Sequence, residues 1–456
     1  MGADASRRRL GVALSRANAG AGLWLAPARL RGRKRNETGD ASVKSAIYTV
    51  PGVPLDPAAG LRREPSRKVA DREPGFEAKF DDSTLFFDLI HRPELRQVRI
   101  VAPPLLNLQR SLQASRLLAV RTGTPLKFKV VNLDRQSQIL VDIGSEPPEL
   151  AIEGALGRYR LAAAPADDDL FAGHRTVFSL SKNNDLIWIK DWLEYYRGVH
   201  GATAVLLYDN GSTAYSAEDL LERISSVRGV EVAVVVRWPF KHGPTGTGLK
   251  KHWDSNFSQL GMMEHARWRF LAQARSVLNC DIDELVVSPR GGSIFERVER
   301  SRSGIVSFHG DWVVGIEHET REPAPFAPMR FRDYRYVLRD LLTYRYGVMP
   351  VRSTRVKPKW ALVPSRAPAR ARWHIHHVEK WFASRIMSKE FRFRHFREIS
   401  KSWKYDRTRR DVFDAGRHVK DDILTAAFFH LGWIEKPVGV ERVDRLAKSQ
   451  LPSLSS

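Results

Sequence analysis

Between residues 174 and 287, short runs of Val, Ile, Leu and Ala alternate with stretches of helical period, and no other feature limits the possible folds as strongly. HRTVFSL (174–180), TAVLLYD (203–209), EVAVVV (231–236) and SVLNCDIDELV (276–286) read as strands apolar on both faces, the signature of a sheet covered on both sides. LIWIKDWLEYYRGVHG (186–201) places residues 186, 187, 189, 192, 193 and 196 on one helical face. SAEDLLERISSVRG reads as a helix with Ser216 as N-cap and acids in its first turn, and a longer helical pattern runs from Asp254 to Ala274. The expectation is an α/β domain with a mixed, mostly parallel, Rossmann-like sheet and helices on both faces. Ligands of such sheets sit at the carboxyl ends of the strands. Three strands end in polar clusters: Ser181-Lys182-Asn183-Asn184-Asp185, Asp209-Asn210-Gly211-Ser212 and Asp281-Ile282-Asp283-Glu284.

The flanking segments differ in kind. Residues 1–75 are rich in Arg, Ala, Gly and Pro without sustained periodicity and read as a disordered basic arm. Residues 76–165 carry short β-branched runs broken by turn residues, which predicts a small all-β accessory module. A linker follows at 162–169, then the α/β domain at 172–440 and a tail at 441–456. Arg7, Arg8 and Arg9 precede an apolar stretch, but Arg16 interrupts it, so a basic arm is expected rather than a cleaved leader. The single cysteine, Cys280, excludes an intramolecular disulfide and fits a reducing cytoplasm. No run of 18 uncharged apolar residues is present. The net charge of +22 is uneven: residues 1–70 carry +9, residues 321–420 carry +17 and the remainder −4. The second stretch is placed to meet a pyrophosphate, an anionic acceptor or an acidic membrane face.

In an extended segment residues i and i+2 point the same way, so Asp281 and Asp283 can face one hard cation. Mg²⁺ and Mn²⁺ favour such oxygen ligands and leave positions open for phosphate. The alternative is a pair of acids solvating a strand end. Asp209 can accept hydrogen bonds from a base or a ribose, or can simply close an Asx turn with Asn210 and Gly211. In Trp373-His374-Ile375-His376-His377, His374 and His376 share one face of an extended segment, where one can supply a further metal ligand. Packed or solvated histidines are the alternative. An acid–base role is open to Glu284, beside the metal pair, and to Asp311 in FHGDW, favoured because it lies on a separate strand end. Trp188, Trp192 and Trp268 read as core, whereas Trp253 and Trp312 lie near loops where they can stack on a sugar.

These residues carry a resemblance. SKNNDLIWIKDWLEYYRGVHGATAVLLYDNGST, Gln259 with HARW (265–268) and CDIDELV resemble the blocks of the GT-A glycosyltransferases of family ninety-two and their bacterial family-two-like relatives. KPKWALVPSRAPARARWHIHHV (357–378) and FRHFREISKSWKYDR (393–407) are similar to later blocks of that group. The resemblance, over about 174–410, implies a GT-A fold and transfer of a sugar, with inversion, from a nucleotide-sugar donor to a saccharide or glycoconjugate, as in polysaccharide biosynthesis. It implies that Asp281 and Asp283 hold a divalent metal, Mn²⁺ or Mg²⁺, on the donor pyrophosphate. It further implies that Asn183, Asp185, Asp209, Asn210, Asp281, Lys359, His395 and Lys401 contact nucleotide or substrate. Asn184 stands where the family has Glu, with Asp185 as a substitute, and Tyr196 stands in a His position. The acid that follows D-N-x-S-x in the family is absent from GSTAYS.

Two other classes compete. The basic, aromatic 321–420 stretch has the composition of a nucleic-acid groove, though no nucleic-acid motif accompanies it and acids end three strands. Asn184 and the β module also suit an inactive, carbohydrate-binding protein of the same fold. The transferase expectation is for a cytoplasmic protein, peripheral at an anionic membrane, with no specific nucleic-acid partner.

Overall fold

The computed structural model describes residues 23–25, 29–32, 43–144, 147–244, 254–317, 329–340, 342–345, 349–352, 356–399 and 410–435. The α/β body is built on one large mixed sheet. Its elements in chain order are β1 (Lys44–Thr49), β2 (Arg175–Ser181), α1 (Leu186–His200), β3 (Ala204–Asp209), α2 (Ala217–Ser225), β4 (Val232–Arg237) and α3 (Phe257–Arg269). They continue with β5 (Ser276–Asn279), β6 (Glu284–Val287), α4 (Ile294–Arg300), β7 (Ile305–Val314), β8 (Val356–Leu362), β9 (Arg392–Phe396) and α5 (Asp422–His430). Across the sheet the order is β6-β9-β7-β8-β5-β2-β3-β4-β1, with Arg29–Gly32 beyond β1. The run β5-β2-β3-β4-β1 is parallel, and β8 pairs antiparallel with both β5 and β7.

The apolar runs explain the layers. Every residue of β3 and the first five of β4 are buried. One core packs Trp192, Leu193, Leu220 and Ile224 of α1 and α2 against one face, and another packs Leu260, Met263 and Ala266 of α3 against the other. Helix α2 opens in a reciprocal capping box: Ser216 Oγ accepts from the Asp219 amide and Asp219 Oδ2 accepts from the Ser216 amide. Helix α3 is shorter than its sequence pattern. Asp254 stays outside it because its buried carboxylate accepts from the Arg67 backbone and guanidinium, and the chain leaves the helix at Phe270.

The basic arm is corrected in part. Residues 43–75 are built into the body, whereas 1–22 lie outside the described residues. β1 pairs in parallel with β4 from Lys44–Val232 to Thr49–Arg237 and turns Ala46 and Tyr48 into the interior. Arg63 is 1% exposed and donates to the carbonyls of Pro104, Asp81 and Thr84. Arginines counted as arm charge are therefore internal donors. Only six residues of β-forming sequence mark β1, and the Pro- and Gly-rich flanks hide them.

The region expected to form an all-β module folds as two sheets and also carries a short helix, Leu108–Gln113, which buries Leu108 and Leu112, so it is not all-β. Ala164–Pro165, Asp88–Arg92, Gln97–Ala102, Gln136–Asp142 and Phe128–Leu133 form one in that order. Leu23–Leu25, Gly157–Ala162, Glu149–Gly154 and Arg116–Ala119 form the other. Ile100, Leu108, Ile139, Leu150 and Leu161 fill the core between them. The module is fastened to α3 by a buried polar knot. Asp88 Oδ2 accepts from Tyr48 Oη (2.8 Å) and from Arg269 Nη2 (2.8 Å), and lies 2.8 Å from His265 Nε2. Burial opposes the Asp88 carboxylate, but Arg269, His265 and Tyr48 together hold its pKa below the ordinary value. No helix among the described residues is long and apolar enough to cross a membrane.

Candidate functional site

From β2 the chain moves through β3 to β4 on one side, then crosses back to place β5 on the other side of β2. Such a reversal opens a crevice beyond the strand ends. A cleft of about 750 Å³ lies there. The end of β2 contributes Ser181, Lys182 and Asn184; the turn after β3 contributes Asn210 and Gly211. The segment after β4 supplies Phe240, Lys241 and His242, and the turn after β5 supplies Asp281, Ile282 and Asp283. Asn256, Gln259, Lys357, His376 and His395 complete the polar wall.

Asp281, Ile282 and Asp283 form a turn between β5 and β6 rather than an extended strand end. The Glu284 amide donates to the Asp281 carbonyl (3.1 Å), while Glu284 Oε2 accepts from the Asp281 amide (2.9 Å). This turn gives the two aspartates different partners. Lys359, buried on β8, places Nζ 2.7 Å from Asp281 Oδ2 and 3.1 Å from Glu284 Oε2. Asp283 Oδ2 lies 3.0 Å from His395 Nε2, because β6 and β9 pair Glu284 with His395 in register. The His395 ring stacks on Trp312, with centroids 4.2 Å apart.

Glu284 is fully enclosed. Burial pushes its carboxyl up to about 7, opposed by the Lys359 ammonium. For Lys359 burial acts to lower the pKa, but the carboxylates of Asp281 and Glu284 outweigh it and hold the ammonium above its ordinary value. Asp283, Glu284 and His395 each present one ligand atom, all within 4.8 Å of one another. Two carboxylate oxygens and an imidazole nitrogen suit Mn²⁺, or Mg²⁺ less well. Asp281 does not belong to that group; its Oδ2 is paired with Lys359.

The histidine pair expected near a metal divides. His374 Nε2 sits 2.9 Å from Asp134 Oδ2 at a hairpin tip of the β module. Burial acts to raise the pKa of Asp134, yet its bonds to His374 and Arg135 hold it down at about 2. His376 lines the cleft; burial, with Lys359 and Lys357 nearby, pushes its pKa down to about 2, so the imidazole is neutral. An extended reading of 373–377 put both rings on one face, but the segment is the turn of a small hairpin (Arg372–Trp373 with Val378–Glu379).

Of the other candidates, Asn210 lines the cleft and the rest shape it from behind. Asp209 Oδ1 accepts from the Ser212 amide (3.0 Å) and closes an Asx turn. Asn210 lines the cleft and donates from Nδ2 to the carbonyls of Trp238 and Phe240, both at 2.8 Å. Asn183, with φ of 55°, accepts from the amides of Thr213 (2.7 Å) and Ala214 (3.1 Å) and so ties two strand-end loops together. Asp185 heads α1, its carbonyl accepting from the Trp188 amide. Lys359 is 1% exposed and braces acids rather than facing the cleft. Asp311 is gripped by Arg392 and Arg394 (Nη1 at 2.5 Å), and it does not line the cleft. Lys401 and Trp253 lie outside the described residues.

Sequence reasoning gave no role to Lys182, Lys241, His242 or Lys357. Lys241 and His242 follow a buried strand just as the recognised clusters do, so that signal was present. Four arginines of the +17 stretch are spent internally: Arg330 on Asp191, Arg392 on Asp311, Arg394 on Asp311 and Asp421, and Arg397 on Asp411 and Glu398. Among the described residues of that stretch, Lys357 is the lysine or arginine that lines the cleft.

No family model and no curated protein matches the chain. Among solved structures it is similar to the mannosyltransferase Ktr4p from S. cerevisiae in complex with GDP, at 11% identity and a TM-score of 0.21. The likeness covers 32% of this chain and 42% of that chain, and at that score neither fold nor activity is inferred from it.

Proposed function

We propose that the protein is a nucleotide-sugar-dependent glycosyltransferase of the GT-A type, acting on a saccharide or glycoconjugate. The observation that carries the reading is the convergence of three strand ends on one cleft at the reversal of strand order, with Asp283 and His395 on its wall. Lys182, Lys241 and Lys357 face the same space and suit a diphosphate, whose charge grows when the sugar–phosphate bond breaks. Asn210 and Gly211 set the floor on which a nucleoside can lie, and Phe240 offers an aromatic edge. Asp283 and His395, with Glu284 behind them, would hold a divalent cation. A bound cation supplies Lewis-acid stabilisation of the departing diphosphate. Asp281, braced by Lys359, keeps the turn in shape and the local charge balanced. Neither Glu284 nor Asp311 lines the cleft, and no base role is assigned to them.

One observation favours a second reading, a nucleotide-binding protein without transfer. Lys359 claims the first acid of the D-x-D pair, so that of the two aspartates lining the cleft Asp281 is already paired with an internal cation. The two are separated by incubating the protein with UDP- and GDP-sugars and Mn²⁺ and measuring released nucleoside diphosphate. Release that Asp283→Ala abolishes supports transfer; nucleotide binding without release supports the second reading. A nucleic-acid reading is disfavoured by the internal pairing of Arg330, Arg392, Arg394 and Arg397.

A further inference from the structure

The hairpin whose turn carries Ile375 and His376 into the cleft leads, at its other end, into a short 3-10 turn, Phe382–Arg385. Phe382 is 77% exposed and Ile386 is 62% exposed, side chains whose burial elsewhere would be favourable. The turn is held from behind. Trp381 and Ala383 pack against the core, the buried Ser384 donates from Oγ to the Val378 carbonyl (2.7 Å), and the Ser388 amide donates to the Ser307 carbonyl (2.7 Å). Two apolar side chains are thus displayed on a fixed base.

Lys380, Arg385 and Lys389 are exposed around them, and none engages a carboxylate among the described residues. The nearby acids have other partners: Glu379 lies 3.7 Å from His377 and Glu390 lies 3.6 Å from Arg297. This contrasts with the arginines of the same stretch that are consumed by internal ion pairs. Two exposed apolar side chains are far short of the roughly 800 Å² per partner of a stable protein interface. They do match shallow insertion at the headgroup–acyl boundary, with cations around them facing anionic headgroups.

We propose that the Lys380–Lys389 turn docks the protein peripherally on a bilayer surface bearing anionic lipids, with Phe382 and Ile386 inserted and Lys380, Arg385 and Lys389 on the headgroups. The proposal does not depend on the transferase reading. Its test is flotation of the full chain with phosphatidylcholine vesicles, with and without about 30 mol % phosphatidylserine, at about 0.1 M salt. Wild type floats with the anionic vesicles and stays behind with the neutral ones. Phe382→Ser with Ile386→Ser lowers partitioning roughly tenfold or more at an unchanged melting temperature. Lys380→Glu with Arg385→Glu and Lys389→Glu abolishes it. Equal binding to neutral vesicles, no binding by wild type, or unchanged binding by both variants overturns the proposal. The last result would locate lipid binding elsewhere in the basic chain. Loss of a dimer in the apolar variant without loss of flotation would assign the patch to self-association instead.

Discussion

Asp283 Oδ2 and His395 Nε2 approach to 3.0 Å although 112 positions separate them in the chain. The contact exists because β9 pairs with β6 and sets His395 opposite Glu284, one residue past Asp283. In the proposed metal site it makes His395, rather than Asp281, the partner of Asp283. Replacing His395 with Asn keeps a polar side chain but removes the imidazole at this position. The variant is expected to lose at least tenfold in Mn²⁺-dependent nucleotide affinity by calorimetry, the range typical of a disturbed metal site. Unchanged affinity would remove His395 from the site.

Lys359 serves two carboxylates at once. Replacing it with Met leaves Glu284 enclosed without a cation and is expected to cost about 3–5 kcal/mol in urea denaturation. Adding Glu284→Gln to that variant is expected to recover part of the loss, because the buried charge goes with it. Strict additivity of the two substitutions would contradict this pairing.

His200 gives a pH dependence of known sign. It is fully buried; burial pushes its pKa down to about 4, and its Nδ1 accepts from the Ile294 amide while Nε2 lies 2.8 Å from the Val286 carbonyl. The unfolded chain takes up a proton near pH 6.5 that the folded imidazole refuses. The stabilisation is complete above that pH and declines as the pH falls toward 4, by roughly 3 kcal/mol in all. Denaturation curves of wild type and His200→Gln at several pH values between these limits should converge as the pH drops. A constant gap would show that His200 does not titrate in this way.

Asp311 is expected to matter for stability and not for nucleotide binding. Asp311→Ala leaves Arg392 without its carboxylate and Arg394 with Asp421 alone, at a cost of about 3 kcal/mol. Nucleotide affinity of the folded variant should equal that of wild type. A folded variant that binds nucleotide normally and releases no diphosphate would restore Asp311 as a catalytic candidate.

The strand-helix alternation, the N-cap at Ser216 and the cleft-facing ends of β2 and β5 were legible because each rests on contiguous residues. Trp188 and Trp192 were likewise recognisable as core from helical spacing, and both are buried. What could not be read was pairing across long separations. Lys359 reaches Asp281, Asp134 reaches His374, and Arg67 reaches Asp254, each through tertiary packing that leaves no local pattern. The same blindness hid β1: KSAIYT gains its stability from β4, and its low-complexity flanks suggested an unstructured arm. Removing residues 1–70 therefore deletes a strand of the central sheet and the buried Arg63 and Arg67. Such a truncation is expected to be insoluble or unfolded by circular dichroism; a cooperative melt like that of the full chain would contradict the position of β1.

The most direct test of the proposed function is the melting temperature of wild type and Asp283→Ala with UDP or GDP, each with and without Mn²⁺. A ligand at about a hundred times its dissociation constant adds about 2.7 kcal/mol of apparent stability. Wild type is expected to gain several degrees with one of the two nucleotides only when Mn²⁺ is present, and Asp283→Ala to gain none while melting normally without ligand. A nucleotide shift that is the same without Mn²⁺, or that survives in Asp283→Ala, would contradict a metal-assisted diphosphate site at Asp283 and His395.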